Sequence, residues 1–474
     1  MTSKCIGGRQ SLKSSLSCFI WLVLVVLIKP VHAEEPSVAQ SSPAENAGES
    51  AAPDTAAGRV LPLEEAYRLA LTNEERIKIA ERELAKAQLL PWRAYAQLTP
   101  NANIVGTYTR NKEEISFIRE PTLPGQTGTP STIRPGESWQ GLFTVTQPLI
   151  QPSFPPSLQL GRDSVRQTLQ RYYFTIREVL FGVARAYYDV LRAQQQVTIA
   201  RDTLRLTQDQ LRQAQARFRV GEVTKTDVLR AEVEVAQAER TLVTNQNNAQ
   251  LALTVLARAI GVHEPVQVIE PTPPLYTSES YEQLLAKSYQ HRQDLQAQES
   301  AVAIARQRKN QVLARYFPQV NVQWQFPRLD SPTFSNRDRF WTMFLNFQVP
   351  LFDGGTRELD LQEQAENLAQ AQLQVDQLRK DIGVEVKQAL LTIETLETTL
   401  ETLKKEAALA QENYDITSKQ YRVGLATSLD VNTALNNLNQ ARTQLADQTY
   451  TYQVALLGVD RAVGVFAQEY LPQH

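Results

Sequence analysis

The sequence predicts a mainly α protein with a membrane β part, internally duplicated. Four strands per chain form a 12-stranded β-barrel in a trimer, continued by a long α-helical coiled-coil barrel. Three observations carry this expectation. A long stretch of the chain is written twice, apolar seams of heptad spacing run for many turns in each copy, and each copy holds two strands with one apolar and one amide face.

The repeat is plainest at "RFRVGEVTKTDV" (217–228) and "QYRVGLATSLDV" (420–431). Residues 218–262 align without a gap onto 421–465, with roughly a third of the positions identical. The match closes with "RAIGV" against "RAVGV". At ~200 residues the unit is too long for a solenoid repeat and fits a duplicated half-structure. The first copy runs over 60–262 and the second over 280–465. A Pro-rich connector (263–279) joins them and a tail (466–474) follows.

Each copy repeats one order of elements. A helix comes first, over 62–97 and again over 280–316, rich in strong helix formers and stopping before Pro100 and Pro318. Two strands follow. Val320, Val322, Trp324 and Phe326 alternate with amides, as do Trp341, Met343, Leu345, Phe347 and Val349 with polar residues, Phe344 excepted. In the first copy Trp139, Phe143 and Val145 alternate with Gln140, Thr144 and Thr146, and a weaker strand covers 103–109. These apolar residues are the expected lipid-facing set. Pro/Gly/Ser-rich loops (113–137 and 327–338) separate the strands.

A very long helix comes next. Ile382, Val386, Ala389, Ile393, Leu396, Leu400, Leu403 and onward to Tyr414 and Tyr421 recur at alternating spacings of three and four. Ile176, Leu180, Val183, Tyr187 and Val190 do the same in the first copy. A helix over 358–421 reaches ~95 Å. Gly221 and Gly424 then stand where the helix must stop. Thr224 and Thr427 are candidate N-caps, each with an acid three residues on, Asp227 and Asp430, in the pattern of a capping box.

Residues 1–33 read as a cleaved export signal, with a basic start at Lys4, Arg9 and Lys13, an apolar run over 19–28, and Val31-His32-Ala33 before the cut. Both cysteines, Cys5 and Cys18, fall inside it, so the mature chain holds no thiol. The formal charge is −2. Removing four leader cations takes it to about −6, an acidity that argues against nucleic acid as a partner. Residues 34–58, rich in Ala, Ser, Glu and Pro, read as a disordered arm.

Four amphipathic strands cannot close a barrel, since the smallest membrane barrels need about eight. An open sheet would leave two unpaired edges, which lipid does not tolerate. Sharing the strands among three chains gives twelve, the simplest closed ring. The long helices then project to one side, with the shorter ones stacked end to end against them.

The residues resemble the outer-membrane efflux protein family, the TolC-like channels, from about Leu61 to Val465. "LPLEEAYRLALTNEERIKIAERELAKAQ" is similar to the family's opening helix, "VPLFDGGTR" to its second strand-to-helix junction, and "YRVGLATSLDV" to its tunnel-end hairpin. The resemblance implies a homotrimer in outer-membrane lipid whose helical tunnel crosses the periplasm. It also implies export of drugs, toxic compounds or secreted proteins together with a periplasmic membrane-fusion adaptor and an inner-membrane pump. It assigns Asp430 to a selectivity ring, and Asp227 to a hydrogen bond with Tyr421 that holds the tunnel end shut. Two departures stand out: Thr433 where the family's best-known members have a second ring acid, and Ala426 where they have Arg. The first junction, "QPLIQPSFPPSLQLG", carries extra prolines that could bend the entry to its long helix.

The tips, Val220-Gly221-Glu222 and Val423-Gly424-Leu425, are the expected adaptor-docking points. The glycines admit a partner backbone, and Val and Leu offer small apolar knobs. The simpler alternative is that the glycines serve only as helix caps and the two acids only as N-cap partners. No catalytic, cofactor or metal constellation is visible, and His263, His291 and His474 are scattered. A soluble periplasmic coiled-coil adaptor and a passive porin are the rival readings. The paired strands count against the first, and a porin has no use for long helical hairpins.

Overall fold

The computed structural model describes residues 59–119, 129–134, 136–262, 266–272, 279–329 and 340–471. The expected leader and arm lie outside these residues, as do parts of the connector, the strand loops and the tail. In chain order the elements are β1 (Arg59–Leu61), α1 (Leu63–Asn73), α2 (Glu75–Gln88), α3 (Leu90–Ala96), β2 (Asn101–Arg110), β3 (Ile115–Arg119), β4 (Thr129–Arg134), β5 (Glu137–Ile150), α4 (Phe154–Arg219) and α5 (Lys225–Ala259). There follow β6 (Val266–Val268), α6 (Tyr281–His291), α7 (Gln293–Ala314), β7 (Gln319–Leu329), β8 (Thr342–Gln348), α8 (Thr356–Arg422) and α9 (Ser428–Val463).

The two long helices hold 66 and 67 residues, close to 100 Å at about 1.5 Å per residue. Along α8 the heptad seam is the buried face: Ile382, Val386, Ile393, Leu396, Leu400, Tyr414 and Tyr421 are all buried. Pro155 and Pro156 sit in the first turn of α4, where a missing N–H costs nothing, so they start the helix. In the other copy Gly354 and Gly355 take positive φ to make that entry. Among the described residues no helix is long and apolar enough to cross a membrane.

The helix expected over 62–97 is three helices, and the one over 280–316 is two. Glu74 (φ −65°, ψ 124°) and Arg292 (φ −76°, ψ 117°) leave the helical region. The cause is packing. The C-terminal ends of α5 and α9 abut these breaks through glycines in the left-handed region, Gly261 (φ 68°) and Gly464 (φ 84°). A Cβ on Gly261 would sit 2.6 Å from the Asn73 Cβ, and one on Gly464 would sit 3.0 Å from the His291 carbonyl carbon.

Two further features were not expected. β1 and β6 pair in parallel, bringing the start of the fold onto the connector. The fully buried Tyr187 ties them, its hydroxyl lying 2.8 Å from the Leu61 carbonyl and 2.6 Å from that of Ile269, and accepting from the Ile269 N–H at 3.1 Å. β3 and β4 form an antiparallel hairpin inside the first strand loop.

Arg177, buried on α4, joins the two copies. Its guanidinium donates to the carbonyls of His291 and Gly464 and to Gln293 Oε1, across the α6–α7 break. Burial lowers its pKa to about 10, opposed by Asp294, so it stays charged at neutral pH. Arg292 pairs with Asp294 at 2.7 Å and with Glu385, and Arg461 pairs with Glu178 at 2.7 Å.

β2, β5, β7 and β8 make one antiparallel sheet in that order. The register puts the expected apolar residues on one face. Phe143 lies opposite Ile104 and Phe326, Val145 opposite Ala102 and Trp324, and Trp139 opposite Tyr108. Val320, Val322 and Trp324 face Phe347, Leu345 and Met343. Gln147 interrupts this face opposite Val322, its amide held by the Leu98 carbonyl at 2.8 Å. Trp341 and Val349 flank β8 just outside its bounds, both exposed. The other face carries Asn103, Thr144, Gln325 and Thr342 in one row, and Asn346 donates to Asn321 at 3.0 Å in another.

Gly464→Ala should destabilise the helical part by about 1–3 kcal/mol, through a strained backbone and a clash with backbone atoms. Gly458→Ala, in mid-helix with open space around it, should be neutral or stabilise by about 0.5–1 kcal/mol. Thermal unfolding followed by circular dichroism checks the pair; equal effects would contradict this packing.

Candidate functional site

At each hairpin tip the long helix ends in a Schellman motif. Gly221 N–H bonds the Phe218 carbonyl at 3.0 Å and Glu222 N–H that of Arg217 at 2.9 Å; Gly424 and Leu425 repeat this with Tyr421 and Gln420 at 3.1 and 2.9 Å. The glycines supply φ of 81° and 82°, which satisfies carbonyls the helix end would leave orphaned. The next helix starts with a full capping box, Thr224 with Asp227 and Thr427 with Asp430. Asp227 Oδ2 accepts from the Thr224 N–H at 3.0 Å and hydroxyl at 2.8 Å, and Asp430 Oδ2 from those of Thr427 at 2.8 and 2.7 Å.

These bonds favour the charged carboxylate. The Thr224 side chain and backbone lower the Asp227 pKa, with smaller help from Ser428 and Arg230. Thr427 lowers that of Asp430 in the same way. Val220 on the first tip and Val423 and Leu425 on the second stand 70, 71 and 81% exposed, a large apolar exposure for so small a region. Glu222 is paired with Arg217 at 3.0 Å.

The expected bond between Asp227 and Tyr421 is not formed within the chain. Asp227 Oδ1 accepts instead from the Ser428 hydroxyl of the second hairpin at 3.0 Å. Arg230 reaches the same Ser428 hydroxyl at 3.2 Å. The Tyr421 ring is buried, with the Arg217 guanidinium 5.0 Å above it. Arg217 Nη1 donates to the Tyr421 carbonyl at 2.8 Å, capping the negative end of α8 from the other hairpin. The phenol therefore points into packing, and a cation from the first hairpin does the holding.

Arg217 and Ser428 were not singled out from the sequence. The signal was present where the two copies differ: Arg217 matches Gln420, and Ser428 matches Lys225. Asp430 has no partner in the first hairpin among these bonds and stays at the open end of its own. Among the described residues no cluster could hold a metal ion.

The profile described as outer membrane efflux protein matches residues 66–262 and 284–465. The chain belongs to that family. Its members are outer-membrane channels and not enzymes. Outer membrane protein TolC of Salmonella enteritidis is 23% identical over 265 residues, covering 53% of this chain and 54% of that protein. The chain thus spans about half the length of the curated relatives it matches. Among solved structures, CusC superposes with a TM-score of 0.71 at 18% identity, over 85% of this chain and 92% of its own. VceC of Vibrio cholerae does so with 0.67 at 18% identity, over 85% and 96%. Both show the same fold.

Because the folded pKa values of Asp227 and Asp430 lie below the unfolded ~3.9, their capping contribution is complete above that value. It is lost as pH falls through the lowered folded values. Amide exchange at the tips, corrected for intrinsic rate, should therefore accelerate below about pH 4 while that of the mid-helix seams does not. Spin labels at Val220 and Leu425, in a chain with Cys5 and Cys18 replaced by Ser, should report a broadened separation in Arg217→Ala and an unchanged one in Tyr421→Phe.

Proposed function

We propose that three copies of this chain assemble into a trimeric outer-membrane exit duct, the outer part of a tripartite efflux or type I secretion system. One observation carries the reading: a four-stranded antiparallel sheet with one apolar face, whose edge strands β2 and β8 have no further partner among the described residues. Lipid on the apolar face and water on the amide face match the two environments of a barrel wall. Three such sheets joined edge to edge leave no edge. The expected lipid-facing residues, from Trp139 to Val349, would form the outer band.

The helical hairpins would then continue the lumen through the periplasm as a coiled-coil wall. Their exposed tips fit docking to a periplasmic membrane-fusion adaptor, which links the duct to an inner-membrane pump. Drugs, toxic compounds or secreted proteins are the cargo classes. A three-fold axis would gather three Asp430 carboxylates into a ring that repels anions and attracts cations. The Arg217–Tyr421 and Asp227–Ser428 contacts would serve as the clasp between neighbouring tips. CusC, whose solved structure is described through transmembrane channel formation, offers the same architecture. A passive porin is disfavoured because it needs no tip.

Gly424→Trp should abolish export while trimers, assayed by crosslinking in membrane fractions, still form. Full resistance in assembled mutants would remove the tips as the docking site, and a monomer released by salt washing would remove the duct itself. In planar bilayers Arg217→Ala with Asp227→Ala should raise single-channel conductance, whereas Asp430→Ala should lower cation selectivity at unchanged conductance.

A further inference from the structure

The apolar face of the sheet ends in a feature that a plain lipid-facing wall does not require. β2 and β7 begin, and β5 and β8 end, at the helices, so Arg110, Glu137 and Leu329 lie at the opposite, far end. Close to that end one row across three strands reads Gly106, Gly141, Arg328. All three share the face of Phe143 and Trp324, by the same register. A Cβ added to Gly106 would meet nothing within 4 Å, and one on Gly141 only Arg328, at 3.9 and 4.0 Å. The two glycines therefore form the floor of an open notch.

The walls are aromatic. On the outer side Tyr108 and Trp139 pack with ring centroids 4.8 Å apart. On the inner side Phe143 and Phe326 do so at 5.7 Å. Arg328 closes one end. It continues the outward series Val320, Val322, Trp324, Phe326 in strict alternation, so it occupies a place where the pattern calls for an apolar residue. Among the described residues it forms no ion pair and no side-chain hydrogen bond. Arg110, by contrast, has Glu137 at 3.5 Å. An arginine on a lipid-facing barrel surface is costly at the midplane and tolerable near the interface, and a guanidinium favours a phosphate held by two parallel hydrogen bonds.

We infer that this notch binds a phosphorylated glycolipid of the outer leaflet, with Arg328 on a glycolipid phosphate and an acyl chain lying over Gly106 and Gly141 between the two aromatic walls. The inference rests on the barrel reading, which puts the far strand ends at the cell-surface side. Charge selects the occupant: a cation with no ion pair among the described residues calls for an anionic headgroup at that depth, and phosphorylated glycolipid supplies it in the outer leaflet.

The test is native mass spectrometry of the detergent-extracted trimer, titrated with a bisphosphorylated glycolipid, its dephosphorylated form and phosphatidylglycerol. The wild type should prefer the bisphosphorylated form about tenfold over the dephosphorylated one. Arg328→Gln should erase that preference, and Arg328→Lys should keep part of it. Gly141→Leu should lower binding of both glycolipids by filling the notch while leaving Arg328 in place. Equal binding of the two glycolipids by the wild type, or an unchanged preference in Arg328→Gln, would overturn the site. Phosphatidylglycerol binding as tightly would overturn the glycolipid assignment. If Arg328→Gln fails to assemble, Arg328→Lys and Gly141→Leu decide. Loss of preference in an intact membrane trimer counts against this site alone, whereas a wild-type chain that forms no membrane trimer counts against the duct.

Discussion

Unpaired strand edges cannot face hydrocarbon, because no water is there to satisfy their N–H and C=O groups. That constraint organises the rest of the chain. On the proposed reading, a sheet of only four strands, apolar on one face, is incomplete in lipid and is completed by other copies. Once the strands are committed to a common ring, the helices attached to their inner ends must lie side by side as well. In that ring each copy would contribute one uninterrupted helix and a stack of shorter ones to the same length of wall.

The middle of the helical region resolves a problem that this stacking creates. Where the end of α5 or α9 meets the shorter helices, backbone must pass close to backbone. Gly261 and Gly464 allow the approach, and the extended residues Glu74 and Arg292 give way to it. The second junction is reinforced by the buried Arg177 and a set of partly buried ion pairs. Arg177, Arg292 and Arg461 converge there with Asp294, Glu385 and Glu178. Only Arg177 of this set is buried, so removing its carbonyl and amide partners is the costly change, because it would leave a buried charge uncompensated. The two copies are thus alike in backbone and different in chemistry at this junction.

Local signals in the sequence were readable and distant ones were not. The capping boxes at Thr224–Asp227 and Thr427–Asp430 span three residues, and the glycine helix ends span one turn, so both could be read directly. The alternation from Val320 to Phe326 and the seam from Ile382 to Tyr421 declare their buried faces by period alone. The breaks at Glu74 and Arg292 carry neither Gly nor Pro; only the neighbouring helix end explains them. β1 and β6 are three residues each and find one another across about 200 positions, which no window reveals. At the tips, the local capping pattern pointed to Asp227, and the family resemblance paired it with Tyr421. The contact between hairpins, however, is made by Arg217 and Ser428, and depends on how two helices dock.

The short parallel pair of β1 with β6 sets an order of events during biogenesis. A chain exported N-terminus first presents Arg59–Leu61 long before Val266–Val268 has emerged, and Tyr187, which fastens both strands, arrives in between. The opening strand must wait, unpaired, while the first strand pair and the whole first long hairpin are delivered. Closure of this small sheet then reports that a complete first copy is present before the second begins. A contact this remote in sequence is slow to form, so the apolar strands already delivered remain exposed for the interval.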